Sequence, residues 1–272
     1  MASREVWRFI DSGAASGAFN MAADEFLALF PRDARPVLRF YRWQPYAISL
    51  GYHQNPARWD PARCRARGID LVRRPTGGRA ILHAHEVTYC VVVPRESRWF
   101  RLGPMELYRQ VSFALLRGLG LSGLPVALAP GPAEAAGATK AASLAEACFA
   151  RSARYEIQLE ARKLVGSAQR RYRHAVLQHG SIILGDQHLE IFDFLSSGEA
   201  ATVARLRQQL AENTASVEAM LGRRVGYEEM VANLKTGFEE ALGVVLQTEA
   251  LSEAERTSIR EMQARYALSQ GS

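Results

Sequence analysis

Residues 155–184 read as three consecutive strands, and they limit the fold more than any other stretch of the chain. Tyr155, Ile157 and Leu159 alternate with Glu156, Gln158 and Glu160, the period of a half-buried strand. Ala161-Arg162 is the expected tight connection, and Lys163 opens a second strand through LVGSAQ. After a basic tip at 170–174, a third strand covers 176–184, interrupted by Gln178, His179 and Gly180. Gly166 and Ser167 are too small to fill space on a strand, so something approaches the backbone there. A purely structural meander has no need of Lys163 or of the QHGS step.

The rest of the chain supplies further strands with helices between them. EVWRFID (5–11) reads as a strand, and Ser16 caps a helix whose Phe19, Ala23, Phe26 and Phe30 share a face. PVLRFYRW (36–43) and YAISLGY (46–52) are two strands around a Gln44-Pro45 turn. A short Arg-rich helix holds Cys64, followed by strands at 69–74 and 79–83. VTYCVVV (87–93) is apolar throughout, as expected of a central strand covered on both faces. A helix over 104–119 buries Tyr108, Val111, Leu115 and Leu119, and helical patterns recur near 200–213, 226–242 and 252–266. The spacing does not alternate regularly enough for a Rossmann or TIM arrangement. It predicts an α/β (α+β) domain with a mixed central β-sheet flanked by helices, one domain over 1–272 with its core at about 30–240.

Composition narrows the setting. The 272 residues are 48% apolar and 23% charged, ordinary for a soluble globular chain. No apolar run is long enough to span a bilayer, and MASREVWRF lacks a signal-peptide core, so a cytoplasmic protein without membrane contact is expected. Three cysteines without paired spacing argue against a disulfide framework or a zinc site, and no metal is expected. A net charge of +6 suits an acidic partner. Nucleic acid is disfavoured, because aromatics are not interleaved with the basic stretches and no binding motif appears. The tip at 170–174 better suits docking of an acidic protein.

Candidate chemistry centres on one thiol and one amine. Cys148 follows a stretch at 129–147 rich in Ala, Gly and Pro, which reads as a lid or as a loop ending in a short helix. A free thiol has a pKa of about 8.5, and a nearby ammonium favours the reactive thiolate. Lys163 is fifteen residues on, where a returning strand brings contact within reach. Against these stand plainer readings: a small apolar filler for Cys148 and a solvated strand-end lysine for Lys163. Cys64 lies between Arg63 and Arg65 and reads as surface or semi-buried; Cys90 reads as core. In RRPTGGRAILH (73–83), Thr76, Gly77 and Gly78 offer backbone N–H groups to a carbonyl or phosphate, with Arg73, Arg74 and Arg79 adding positive charge. A plain hairpin turn is the competing reading, and His179 is either a site residue or a satisfied core histidine.

Taken together, C-F-x-x-S-x-x-Y-E, then R-K-L-V-G-S-A-Q-R-R, then L-Q-H-G-S-I resemble the lipoate and octanoate attachment enzymes of the biotin/lipoate protein ligase superfamily. RRPTGG through His83 resembles the element that wraps the acyl group or acyl-adenylate there, and LGYHQ (50–54) resembles its first substrate-lining strand. The cysteine before the Y-E strand resembles the octanoyltransferases of the LipM type. The resemblance implies the biotin/lipoate ligase catalytic-domain fold without a C-terminal accessory domain. It implies Cys148 and Lys163 as catalytic, with Arg73, Arg74, Thr76, Gly77, Gly78, Arg79, His83, Gly166, Ser167, His179 and Gly180 binding substrate. It further implies octanoyl-acyl carrier protein as donor, glycine-cleavage H protein or another lipoyl domain as acceptor, and no cofactor. Two departures stand out: Ala84 follows His83 where aspartate is common, with His85-Glu86 next, and Ala161 replaces a usual turn glycine. An ATP-dependent lipoate ligase, an amidotransferase between lipoyl domains and an inactive acyl-binding module are the alternatives.

Overall fold

The computed structural model describes residues 4–129 and 156–268. Its main sheet has six strands. Strand β1 (Glu5–Ala15) runs parallel to β2 (Val37–Trp43) on one side and to β12 (Val244–Thr248) on the other. β2 is antiparallel to β6 (Glu86–Pro94), β6 to β11 (Ala175–Ile183), and β11 to the edge strand β10 (Val165–Arg171). The sheet is therefore mixed, as the sequence predicts. Parallel β1 and β2 need a crossover, which helix α1 (Gly17–Leu29) supplies. The Ser16 hydroxyl accepts from the Phe19 N–H and starts that helix.

The apolar run in β6 is explained by burial on both faces. Val87, Tyr89, Val91 and Val93 join one core with Phe40 of β2 and with Leu115 of α3 (Pro104–Leu121) and Phe238 of α6 (Tyr227–Leu242). Cys90 and Val92 face a second core with Met21, Ala23 and Phe26 of α1. Helices α3 and α6 touch backbone to backbone: a Cβ on Gly237 would lie 2.3 Å from the Gly118 nitrogen. Three details differ from the sequence reading. Leu107 rather than Tyr108 lies on the buried face of α3, α1 ends before Phe30, which is 58% exposed, and β12 closes the sheet beyond residue 240.

The expected meander is divided between two sheets. β8 (Ile157–Leu159) and β9 (Arg162–Lys163) pair with β7 (Val126–Leu128) in a small sheet of their own, and only β10 and β11 belong to the main one. Leu164 is the handover, its N–H bonding to Ile157 and its carbonyl accepting from Ile183. β11 is unbroken through Gln178, His179 and Gly180. Likewise β2 and β3 (Ala47–Leu50) do not form a hairpin: β3 is the centre of a third sheet, between β4 (Asp70–Arg73) and β5 (Ile81–His83). Among the described residues no helix is long and apolar enough to cross a membrane.

The β8–β9 turn is Glu160-Ala161, one residue earlier than the sequence suggests. Both residues are left-handed, with φ of 50° and 61°. A side chain there costs roughly 1–2 kcal/mol, part of which glycine returns through a more flexible unfolded chain. Ala161→Gly is expected to stabilise the protein by about 0.5–1 kcal/mol, read as a higher urea midpoint at unchanged m-value.

Candidate active site

A pocket enclosing about 340 Å³ of empty space, part of it open to solvent, lies between α1, the β2–β3 region and the β10–β11 hairpin. Its wall brings together six of the sequence candidates: Arg74, His83, Gly166, Ser167, His179 and Gly180. Met21, Tyr41, Trp43, Ser49, Ile81, Thr88, Ala168 and Ser181 complete the lining.

Two buried relays of hydroxyl, imidazole and carboxylate run behind this wall. In the first, the Thr76 Oγ1 is 2.7 Å from His179 Nε2, and His179 Nδ1 is 2.9 Å from Asp24 Oδ2. Arg39 Nη1 and the Tyr41 hydroxyl donate to the same carboxylate at 2.6 and 2.7 Å. Burial pushes the Asp24 carboxyl up, but His179, Arg39 and Tyr41 outweigh it and hold the pKa below the usual 3.8. An ionised Asp24 can only accept, so His179 donates from Nδ1.

In the second relay, Ser49 Oγ is 2.7 Å from His83 Nε2, and His83 Nδ1 is 2.8 Å from Glu86 Oε1. Trp43 stacks on the His83 ring at 4.0 Å between centroids and donates its indole N–H to Thr88 at 2.7 Å. Thr88 and Ser181 donate to Glu86. Burial raises the Glu86 pKa, and His83, Ser181 and Thr88 together bring it below the usual 4.5. Glu86 thus supplies a carboxylate to His83 from three residues on, next to the position where Ala84 departs from the family pattern. Ser49, Asp24 and Glu86 went unrecognised in the sequence as parts of a site.

Arg74 is 3% exposed and works as a brace. It donates to Ser49 at 3.0 Å and 3.2 Å, to the Gly77 carbonyl and to the Arg79 carbonyl, which fixes the TGG turn. Arg73 likewise binds the carbonyls of Gly51, Tyr52 and Gln54. Arg73, Gly77, Gly78 and Arg79 are not among the cavity-lining residues, and Thr76 reaches the cavity through His179. The strand at 46–52 contributes Ser49 rather than Gly51, whose missing side chain admits the Gly78 carbonyl to within 2.0 Å of a would-be Cβ. Gly180 has a similar role: a Cβ there would lie 2.7 Å from the Tyr89 ring and 2.5 Å from the Gly166 carbonyl. Tyr89 in turn donates to Ser167 at 2.7 Å.

Lys163 is 4% exposed, and its Nζ lies 2.5 Å from Glu156 Oε1. It is a buried ion-pair member on β9, not a solvated strand end, and it is not among the residues lining the cavity. Cys148, the stretch at 130–147 and Tyr155 lie outside the described residues. The other two thiols are poor nucleophiles. Cys64 is fully buried rather than semi-exposed, because α2 (Pro61–Ala66) turns it inward, and burial pushes its thiol up to about 11. Burial and the Asp24 charge push Cys90 up as well. Among the described residues no group of three or more His, Cys, Asp or Glu is placed to hold a metal.

Comparison with known proteins agrees with this architecture. Residues 16–239 match the lipoyl protein ligase A/B catalytic domain. The octanoyltransferase LipM of Kyrpidia tusciae is 39% identical over 265 residues, 96% of each chain. That of Bacillus subtilis is 34% identical over 97% of this chain and 96% of its own. Among solved structures, the bi-partite lipoate protein ligase of Thermoplasma acidophilum, studied with its E2 lipoyl domain, superposes with a TM-score of 0.75 at 20% identity, covering 96% of this chain and 93% of that one. Lipoate-protein ligase A bound with ATP gives 0.72 at 22% identity, covering 95% and 94%. These two structures share the fold. The domain match and the near full-length identity to LipM sequences together decide the family: the chain belongs to the lipoyl protein ligase A/B catalytic domain family.

Proposed function

We propose that the protein is an octanoyltransferase of protein lipoylation, working in the cytoplasm through a thioester on Cys148. The observation that carries this reading is similarity over 96% of the chain to an octanoyltransferase, together with Cys148 seven residues ahead of Tyr155-Glu156 in the sequence. The cavity suits an alkyl chain. Its wall is rich in polar residues, but their hydrogen-bonding groups are engaged with one another in the two relays, which leaves largely carbon for a ligand to meet.

The Cys148 thiolate attacks the thioester carbonyl of octanoyl-acyl carrier protein. The carrier thiolate leaves and takes a proton, and octanoyl-Cys148 remains. The ε-amine of a lysine on a lipoyl domain, such as glycine-cleavage H protein, then attacks that carbonyl. The Cys148 thiolate departs, the amine loses its proton, and a stable amide forms. One thioester replaces another in the first step, and the second is downhill, so the chemistry needs no ATP or bound cofactor. Lys163 provides a cation that favours the thiolate and the developing oxyanion.

The test is intact mass after incubation with octanoyl-acyl carrier protein and no ATP. A gain of one octanoyl group that hydroxylamine removes is the expected result. No adduct, with lipoate-dependent conversion of ATP to AMP, would instead make the protein a ligase.

A further inference from the structure

Trp43 stands between two spaces. Among the described residues it is the one that lines both the acyl pocket and a second pocket, which encloses about 910 Å³ of empty space, part of it open to solvent. Tyr46, Ala84, Leu184 and Tyr227 supply the apolar wall of the second pocket, and Glu86 lines it as well. The Glu86 carboxylate is bonded to His83, Thr88 and Ser181, all three of which line the acyl pocket. The Trp43 indole N–H lies 2.7 Å from Thr88 and 3.2 Å from Glu86. A single layer of side chains, the indole and the carboxylate, therefore divides the two pockets.

The sheet order gives the direction in which an acyl chain lies. Gly166, Ser167 and Ala168 of β10 line one end of the acyl pocket, and Tyr41 and Trp43 of β2 line the other, with β11 and β6 between them. Three strand spacings make roughly 14 Å. Lys163 ends β9 two residues before β10 begins, so the reacting carbonyl of the proposed transfer is at the β10 end and the methyl end of the chain points at β2. There it meets a ring that is held in place. The indole stacks on the His83 imidazole at 4.0 Å between centroids and is 2% exposed. A close-packed ring fixed on its face and at its N–H does not move aside for an extra methylene as a flexible side chain would.

We infer that Trp43 is the stop that sets acyl-chain length, and that the second pocket is the space that opens behind it when the indole is removed. The inference rests on the octanoyltransferase reading and adds the residue that measures the acyl group. Glu86 keeps His83, Thr88 and Ser181 as donors once the indole is gone. A longer chain then passes a hydrogen-bonded carboxylate, not a bare one, on its way to Ala84 and Leu184.

The test follows acylation of Cys148, by initial rate and intact mass, with hexanoyl-, octanoyl-, decanoyl- and dodecanoyl-acyl carrier protein. Wild type is expected to fall off beyond octanoyl. Trp43→Ala should raise the dodecanoyl-to-octanoyl ratio of kcat/KM about tenfold or more, and Trp43→Phe, which vacates only part of the indole's space, should raise the decanoyl-to-octanoyl ratio about threefold. Tyr46→Ala, in the wall of the second pocket alone, should leave both ratios at their wild-type values. A wild type that takes dodecanoyl as readily as octanoyl overturns the inference. So does a Trp43→Ala that loses all chain lengths equally, which is the result for a purely structural tryptophan. If Trp43→Ala does not fold, the Trp43→Phe ratio decides in the same way. Should no acyl-carrier protein acylate wild type, the octanoyltransferase reading fails, and calorimetric titration of wild type and Trp43→Phe with octanoate and decanoate tests the stop by itself. A Kd ratio shifted about threefold towards decanoate sustains it; an unchanged ratio, or no binding of either acid, overturns it.

Discussion

Cys148→Ala is expected to lower octanoyl transfer by roughly 10⁴-fold or more and to abolish the hydroxylamine-sensitive adduct. No other thiol can stand in. Cys64 and Cys90 are both fully buried, and burial drives both away from the thiolate form. Lys163→Met separates the two proposed roles, since it keeps much of the side-chain volume and removes the charge. The adduct should still form, more slowly by about 10²–10³-fold at neutral pH. Without the cation, the Cys148 thiol returns towards its ordinary value of about 8.5, so the deficit narrows as pH rises through that value. Lys163→Met also leaves Glu156 buried without its 2.5 Å partner, so urea unfolding must accompany the kinetics. Initial rates from pH 6 to 9 and intact mass decide the matter. Full transfer by Cys148→Ala would end the thioester mechanism, and a pH-independent Lys163→Met deficit would confine the lysine to oxyanion stabilisation.

What could be read from the sequence is what short-range pattern records. The two-faced burial of β6, the Ser16 cap and the helix at 104–121 each depend on residues a few positions apart. The small residues Gly166 and Ser167 imply close approach to the backbone, and across β10 and β11 the neighbour that comes close is Gly180, whose position has no room for a side chain beside the Gly166 carbonyl, Ser167 and Tyr89. The handover at Leu164 was invisible because strand periodicity says nothing about which sheet a strand joins. The relays were hidden for a different reason. Asp24 is 155 residues from His179, and it sits on a helix whose dominant pattern is the apolar stripe that includes Ala23 and Phe26. A signal was present nonetheless: Asn20 and Asp24 are four residues apart on that helix, a polar pair at helical spacing, and Arg39 lies within β2 between the apolar Leu38 and Phe40. Buried groups of this kind require partners, and here they partner each other.

That mutual dependence makes Asp24 the most costly residue of the site to remove. Arg39 and Asp24 are both 0% exposed and 2.6 Å apart. Arg39 also donates to Asn20 and Ser12 and lies 3.9 Å from the Tyr41 ring centre, so it cannot turn to solvent when its counter-charge goes. Asp24→Ala is expected to destabilise the protein by about 3–5 kcal/mol, the usual cost of leaving a buried charge alone. For a chain of this size that corresponds to roughly 10 °C in Tm. Asp24→Asn keeps the volume but offers an N–H₂ group where Tyr41 and His179 now donate. His179 must then take its other tautomer, and the Thr76 contact reverses direction. Asp24→Asn should therefore be less destabilised than Asp24→Ala and still lose donor affinity. The pH dependence has a definite sign. Because the folded pKa of Asp24 is below 3.8, its stabilisation is complete above that pH and is lost as pH falls through the folded value. The stability gap between wild type and Asp24→Asn, measured by urea unfolding, should be widest near neutrality and shrink in acid below 3.8. A gap that instead grows with acidification, or an Asp24→Ala cost under about 1 kcal/mol, would mean that Arg39 is held by Asn20 and Ser12 and that the carboxylate is dispensable to the fold.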